Sequence, residues 1–170
     1  MTTANGKILL AEDDSADAEL ALAAMRSVNL DSRVVIVCDG QDVLDYLHRR
    51  HAWRQRPIGD PVLVILDLKM PKIGGLEVLK SIRRDGRIHL IPVVVFTSSE
   101  EVSDVALCYQ NGVNAYVVKP LDFADFVETI QCLVNFWASM NVPPAPYRQK
   151  PYPAIPKADA TCPEYPSLGG

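Results

Sequence analysis

Several features are scarce in this chain of 170 residues. No apolar run approaches the roughly 20 residues that cross a bilayer. The first residues, MTTANGK, carry no apolar leader core. These two absences predict a cytoplasmic protein that does not enter a membrane. Cysteine is sparse: Cys38, Cys108, Cys132 and Cys162 are scattered, with no CxxC pair and no histidine at metal-ligand spacing. That pattern predicts reduced thiols and excludes a disulfide scaffold or a zinc site. A basic excess is also missing. Lysine and arginine number 17 against 21 acidic residues, for a net charge of −4 and a pI near 5.3. A surface built to hold nucleic-acid backbone needs the opposite balance. No GxGxxG follows a strand pattern, so Gly74–Gly75 reads as a turn into a helix and not as a nucleotide loop. There is no internal repeat. What remains is ordinary for a globular protein: 48% hydrophobic and 22% charged residues, and enough length for one buried core.

Proline divides the chain. Of its 13 prolines, eight follow residue 142. Each removes a backbone donor and fixes φ, so helices and central strands do not tolerate that density. Residues 7–140 therefore read as the domain, and 141–170 as an extended, proline-rich tail. Within the domain, five short apolar runs stand out, at 8–11, 34–37, 62–66, 93–96 and 116–118. They are continuous and rich in β-branched residues, as strands buried on both faces are. Helical patterns lie between and after them, at 15–28, 41–51, 75–84, 101–111 and 122–140. Ser15 is the expected N-cap of the first and Asp122 of the last. Five alternations of strand and helix predict an α/β fold: a doubly wound, five-stranded parallel sheet with five helices.

In such folds chemistry gathers beyond the carboxyl ends of the strands. Glu12, Asp13 and Asp14 follow the first run, Asp67 the third, Thr97 the fourth and Lys119 the fifth. Two carboxylates about 4 Å apart repel by roughly 4 kcal/mol at an effective dielectric near 20. Such a cluster raises a pKa or recruits a cation. Oxygen ligands without histidine or cysteine suit a hard ion, and Mg²⁺ fits a site that keeps several waters. A cation held there also coordinates a phosphoryl oxygen. Lys119 and the Thr97 hydroxyl are placed to hold the others, which leaves Asp67 as the nucleophile of an aspartyl-phosphate reaction.

Glu12–Asp13, the segment AspLeuLysMetPro at 67–71 with Gly74 and Gly75, Thr97 and LysPro at 119–120 together resemble the receiver domain of two-component response regulators. The resemblance covers residues 7–140 and extends to the spacings between Asp67, Thr97 and Lys119. It implies a flavodoxin-like receiver fold in which a sensor histidine kinase phosphorylates Asp67. Asp13 would then bind Mg²⁺ directly, Glu12 through water, and the backbone carbonyl of Lys69 would add a ligand. Thr97 and Lys119 would hold the phosphoryl oxygens, and Tyr116 falls at the aromatic switch position. Asp14 is read as a helix-start residue. The long segment 48–61, PheThrSerSer at 96–99 and AsnPheTrp at 135–137 are similar to the regulators that accompany bacterial phytochromes, which makes a bacteriophytochrome the expected kinase.

The competing readings are weaker at these positions. A haloacid-dehalogenase-type phosphatase also forms an aspartyl phosphate but needs an Asp two residues after the nucleophile, where this chain has Lys69. An interaction module with a silent site would not need the full set of residues that is present. His48, His51 and Arg49, Arg50, Arg54 and Arg56 form a basic cluster, read as a solvated helix end and loop. In the last helix Phe126, Ile130, Leu133, Trp137 and Met140, widened by Phe123, Val127 and Val134, give an apolar face broader than one side of a sheet requires. A homodimer through that helix and the tail is the expectation. Residues 141–170 cannot form a DNA-reading helix pair, so signalling is expected through the domain's own surface, after an added phosphoryl charge of about −1.5 to −2.

Overall fold

The structure, a computed structural model, describes residues 6–143. The proline-rich tail from residue 144 onward, with Cys162, lies outside the described residues. The five expected strands form: β1 (Ile8–Ala11), β2 (Val34–Val37), β3 (Leu63–Leu66), β4 (Val93–Thr97) and β5 (Ala115–Val118). They make one parallel sheet in the order β2-β1-β3-β4-β5. Five α-helices alternate with them: α1 (Ser15–Ser27), α2 (Gly40–His48), α3 (Gly75–Arg84), α4 (Val102–Gln110) and α5 (Phe123–Asn135).

The continuous apolar runs have a simple cause. Successive side chains of a strand point to opposite faces, and both faces of this sheet are covered. Ile8, Leu10, Leu63, Ile65, Val94 and Phe96 pack with Ala21, Ala24 and Met25 of α1 and Phe126, Ile130 and Val134 of α5. Leu9, Ala11, Val64, Leu66, Val93 and Val95 pack on the other face with Val43 and Leu47 of α2, Val78, Leu79 and Ile82 of α3, and Cys108 of α4. Phe96 meets Phe126 edge-on, with ring centroids 5.1 Å apart. The strand order reverses direction between β1 and β3, so a crevice opens there at the carboxyl edge.

The helix ends depart from expectation in instructive ways. Asp14, not Ser15, caps α1: its Oδ1 accepts from the backbone N–H groups of Ala16 at 2.8 Å and Asp17 at 3.1 Å. Asp14 has the extended backbone a cap requires, while Ser15 already belongs to the helix. Asp122 caps α5 as expected. α2 stops at His48 instead of running to 51, because Arg49 turns left-handed at φ 56°. On α4 the buried position is Cys108, while Leu107 is exposed. The last helix does reach Met140, but residues Phe136–Met140 widen into a π-helical turn. Its core row is Phe126, Ile130, Val134 and Ala138, which leaves Phe123 68% and Met140 71% exposed.

The loop between β3 and α3 is clamped from two sides. Lys72 Nζ donates to Asp39 Oδ2 at 2.6 Å, and Asp39 Oδ1 caps α2 by accepting from the Asp42 N–H at 2.8 Å. Gly75 packs so closely that a Cβ would overlap the Asp67 carbonyl, and a Cβ on Gly40 would overlap the Ile73 carbonyl. Cys38, Cys108 and Cys132 are free. Among the described residues, no helix is long and apolar enough to cross a membrane.

Burial pushes the Asp39 carboxyl up, but the Lys72 ammonium and the Asp42 N–H outweigh it and hold it below the ordinary carboxylate value. A depressed acid stabilises the fold above its unfolded pKa and loses that contribution as pH falls through the folded value. Asp39→Ala is expected to cost about 1 kcal/mol in urea unfolding at pH 7, with the gap to the wild type closing only below the ordinary carboxylate range; a pH-independent gap would show that charge contributes nothing. Gly75→Ala forces the backbone at Asp67 to shift and is expected to cost about 1–3 kcal/mol in the same assay.

Candidate functional site

Sheet register assembles the site. Ala11 pairs with Leu66, so the next residues, Glu12 and Asp67, emerge side by side. Thr97 pairs with Val118, so Lys119 emerges beside the end of β4. Backbone bonds carry the ladder one step further: the Glu12 N–H donates to the Val37 carbonyl at 3.0 Å, the Asp67 N–H to Ala11 at 3.1 Å, and the Lys119 N–H to Thr97 at 2.8 Å. The side chains are therefore fixed by main-chain pairing and not by flexible loops.

The Lys119 ammonium sits at the centre. It donates to Glu12 Oε2 at 2.7 Å, Asp17 Oδ2 at 2.8 Å and Asp67 Oδ2 at 2.8 Å. The second oxygens of Asp67 and Glu12 have their own donors. Asp67 Oδ1 accepts from the Lys69 N–H at 3.1 Å, and Glu12 Oε1 from the Asp14 N–H at 3.2 Å. Glu12 and Asp67 are buried and Asp13 is exposed. One ligand oxygen from each of Glu12, Asp13 and Asp67 lies within 4.8 Å of the others. Among the described residues this is the only group of three or more such side chains placed to hold an ion.

The electrostatics are lopsided. Four carboxylates (Glu12, Asp13, Asp17 and Asp67) surround one ammonium. Burial raises the Glu12 carboxyl above its ordinary value against the pull of Lys119, and the Asp67 charge adds to the rise. Burial also works against the Lys119 charge, but the hydrogen bonds it donates to Asp17, Asp67 and Glu12 override it and hold the lysine pKa above its ordinary value. Lys119 thus stays charged across the neutral range, and the surplus negative charge favours a cation. An all-oxygen donor set with an exposed carboxylate, Asp13, open to water fits a hard divalent ion.

Thr97 and Tyr116 form the adjoining part of the site, joined through Ser99 and not bonded to the carboxylates. Thr97 is fully buried, and its Oγ accepts from the Ser99 N–H at 3.4 Å. The Tyr116 hydroxyl donates to the Ser99 carbonyl at 3.0 Å, while Ser99 Oγ donates to Asp104 Oδ2 at 2.6 Å. A chain of bonds therefore runs from the end of β4 to β5 and into α4.

The basic cluster divides. Arg56 is not a solvated residue: its guanidinium lies 4.3 Å above the Tyr46 ring and its Nε donates to the Tyr46 carbonyl at 2.7 Å. His48 faces Asp85 at 3.7 Å and His51 faces Asp45 at 3.9 Å, so the two do not converge on a shared ligand. Sequence reasoning passed over Asp17. No local signal marked it, because its partner Lys119 lies 102 residues away. It passed over the Lys72–Asp39 clamp too, where a separation of 33 residues left no local sign.

Comparison with known proteins identifies the family. The profile of the response regulator receiver domain matches residues 8–131. The chain is 40% identical over 139 residues to the probable methanogenesis regulatory protein FilR2 of Methanothrix harundinacea, covering 82% of this chain and 88% of that protein. It is 33% identical over 138 residues to the response regulator Rcp1 of Synechocystis, covering 81% and 92%. The crystal structure of the Mn²⁺-bound form of Rcp1 superposes with a TM-score of 0.76, covering 82% of this chain and 99% of that one. The bacteriophytochrome response regulator RtBRR is 48% identical, with a TM-score of 0.66 over 85% of this chain and 86% of its own. The profile match and these relatives show that the chain belongs to the family of response regulator receiver domains.

Proposed function

We propose that this chain accepts a phosphoryl group on Asp67 from the phosphohistidine of a sensor histidine kinase and signals by a change of its surface. The observation that carries this is the Lys119 ammonium held 2.8 Å from the Asp67 carboxylate, beside the Glu12–Asp13–Asp67 oxygen cluster. An Asp67 oxygen attacks phosphorus, the phosphorus–nitrogen bond of the donor breaks, and its electron pair returns to the imidazole. Glu12, Asp13 and Asp67, with the carbonyl of Lys69, would hold Mg²⁺, which when bound neutralises charge on the transferring oxygens. Once Asp67 is an acyl phosphate it no longer carries a full carboxylate charge, and the Lys119 donor it used turns to a phosphoryl oxygen. Thr97 accepts from Ser99 and keeps its own proton to donate to another phosphoryl oxygen. Movement of Thr97 reaches Tyr116 through Ser99, which would make Tyr116 the switch that alters the face of α4, β5 and α5. The same site, with water as nucleophile, would hydrolyse the acyl phosphate and reset the domain.

The 48% identity to a bacteriophytochrome response regulator supports a bacteriophytochrome as the kinase. Free thiols at Cys38, Cys108 and Cys132 fit a reducing cytoplasm. The domain proposed is 7–140, with the proline-rich stretch 141–170 as an appendage to it. The net charge of −4 supports a protein partner and not nucleic acid.

The exposed Phe123, Phe136 and Met140 of the last helix favour a second copy of this chain as its cover. In light scattering of the full chain, a mass that rises toward the dimer with concentration is expected, and a concentration-independent monomer would remove the dimer from this reading. The function itself is tested by intact-mass spectrometry with a small acyl-phosphate donor. The wild type is expected to gain one phosphoryl group only when Mg²⁺ is present, and Asp67→Asn to gain none. An equal gain in Asp67→Asn would move the acceptor elsewhere.

A further inference from the structure

An ammonium has three N–H donors, and those of Lys119 are all committed, to Glu12, Asp17 and Asp67. Two of the three acceptors change during the proposed reaction. Asp67 becomes the acyl phosphate and gives up its full charge. Glu12 shares the oxygen cluster that suits a cation, and its carboxylate would be drawn toward one held there. Asp17 takes neither part. It lies outside that cluster and projects from the first turn of α1, whose start is fixed by the Asp14 cap. Of the three acceptors, it alone is neither the phosphoacceptor nor a member of the oxygen cluster.

We propose that Asp17 is a positioning residue that holds the Lys119 ammonium over the phosphoacceptor while Glu12 and Asp67 exchange partners. This rests on the reading of Asp67 as the phosphoacceptor. An exposed ion pair contributes little, but here the lysine side chain is only 8% exposed and the aspartate 36%. The bond therefore forms at the edge of the buried site, where a charge-assisted contact is strong. Its consequence is preorganisation. With Asp17 in place, the charge that meets the incoming phosphoryl oxygens is already located and does not have to be gathered as the reaction proceeds. Without it, Lys119 is held only by groups that are themselves being drawn away.

The test compares wild type, Asp17→Asn and Asp17→Glu, each checked for folding by thermal melting. Phosphoryl uptake from acetyl phosphate is followed by intact mass across a Mg²⁺ titration. In parallel, the Lys119 side-chain ammonium is observed by ¹H–¹⁵N NMR and assigned by its loss in Lys119→Arg. Asp17→Asn is expected to slow uptake about tenfold at unchanged half-saturating Mg²⁺, and Asp17→Glu to restore most of the rate. The ammonium resonance is expected to persist at saturating Mg²⁺ in wild type and Asp17→Glu and to vanish in Asp17→Asn. Uptake by Asp17→Asn at the wild-type rate overturns the proposal. So does a rate loss explained wholly by weaker Mg²⁺ binding, or an Asp17→Glu variant no better than Asp17→Asn. If the wild type takes up no phosphoryl group, the phosphoacceptor reading fails, and the ammonium resonance in Asp17→Asn still decides whether Asp17 holds Lys119.

Discussion

One buried ammonium ties the carboxyl edge of this protein together. Lys119 bonds to carboxylates that follow β1, follow β3 and stand on α1. The buried Glu12 and Asp67 carboxylates would be costly to bury alone, and the lysine would be costly to bury without them. Their mutual presence makes the site stable, but the compensation is incomplete, because Asp13 adds a charge that Lys119 does not bond. The remaining negative potential is what makes the cluster receptive to a cation, and through it to a phosphoryl group. Stability and chemistry come from the same imbalance.

That arrangement depends on register. A slip of one residue in the pairing of β1 with β3 would turn Glu12 or Asp67 to the opposite face. Such a slip is prevented because both faces of both strands are packed, by α1 and α5 on one side and α2, α3 and α4 on the other. The apolar core therefore does more than stabilise the fold: it fixes which side chains meet at the edge. The close approach of Gly75 to the Asp67 carbonyl and the Lys72–Asp39 bond extend this control to the loop after β3. On the other flank, Ser99 links Thr97 to Tyr116, so the edge is coupled to the surface of α4 and β5 by hydrogen bonds.

Much of this was legible before the structure. The strands were readable because burial on both faces leaves an uninterrupted apolar run, and the starts of α3 and α5 because Gly74–Gly75 and Asp122 mark them locally. The limits were equally physical. Ser15 and Asp14 both have side chains able to cap, and only the backbone conformation decides between them. Arg49 ends α2 through a left-handed turn that no proline or glycine announces. Arg56 looks like a surface charge in sequence and lies against Tyr46 in the fold, because an aromatic face accepts a guanidinium.

The architecture and the cast of the site are written along the chain: five buried strands alternating with helices, and Glu12, Asp13, Asp67, Thr97 and Lys119 each just beyond a strand or at its end. Those properties depend on local pattern, which a linear reading captures. The partnerships arise only on folding. That Lys119 meets Asp17, 102 residues away, that Tyr116 bonds to Ser99 and not to the carboxylates, and that Lys72 braces the loop through Asp39 are consequences of strand order. A parallel sheet brings together the ends of strands that the chain keeps far apart, and no local pattern records which ends become neighbours.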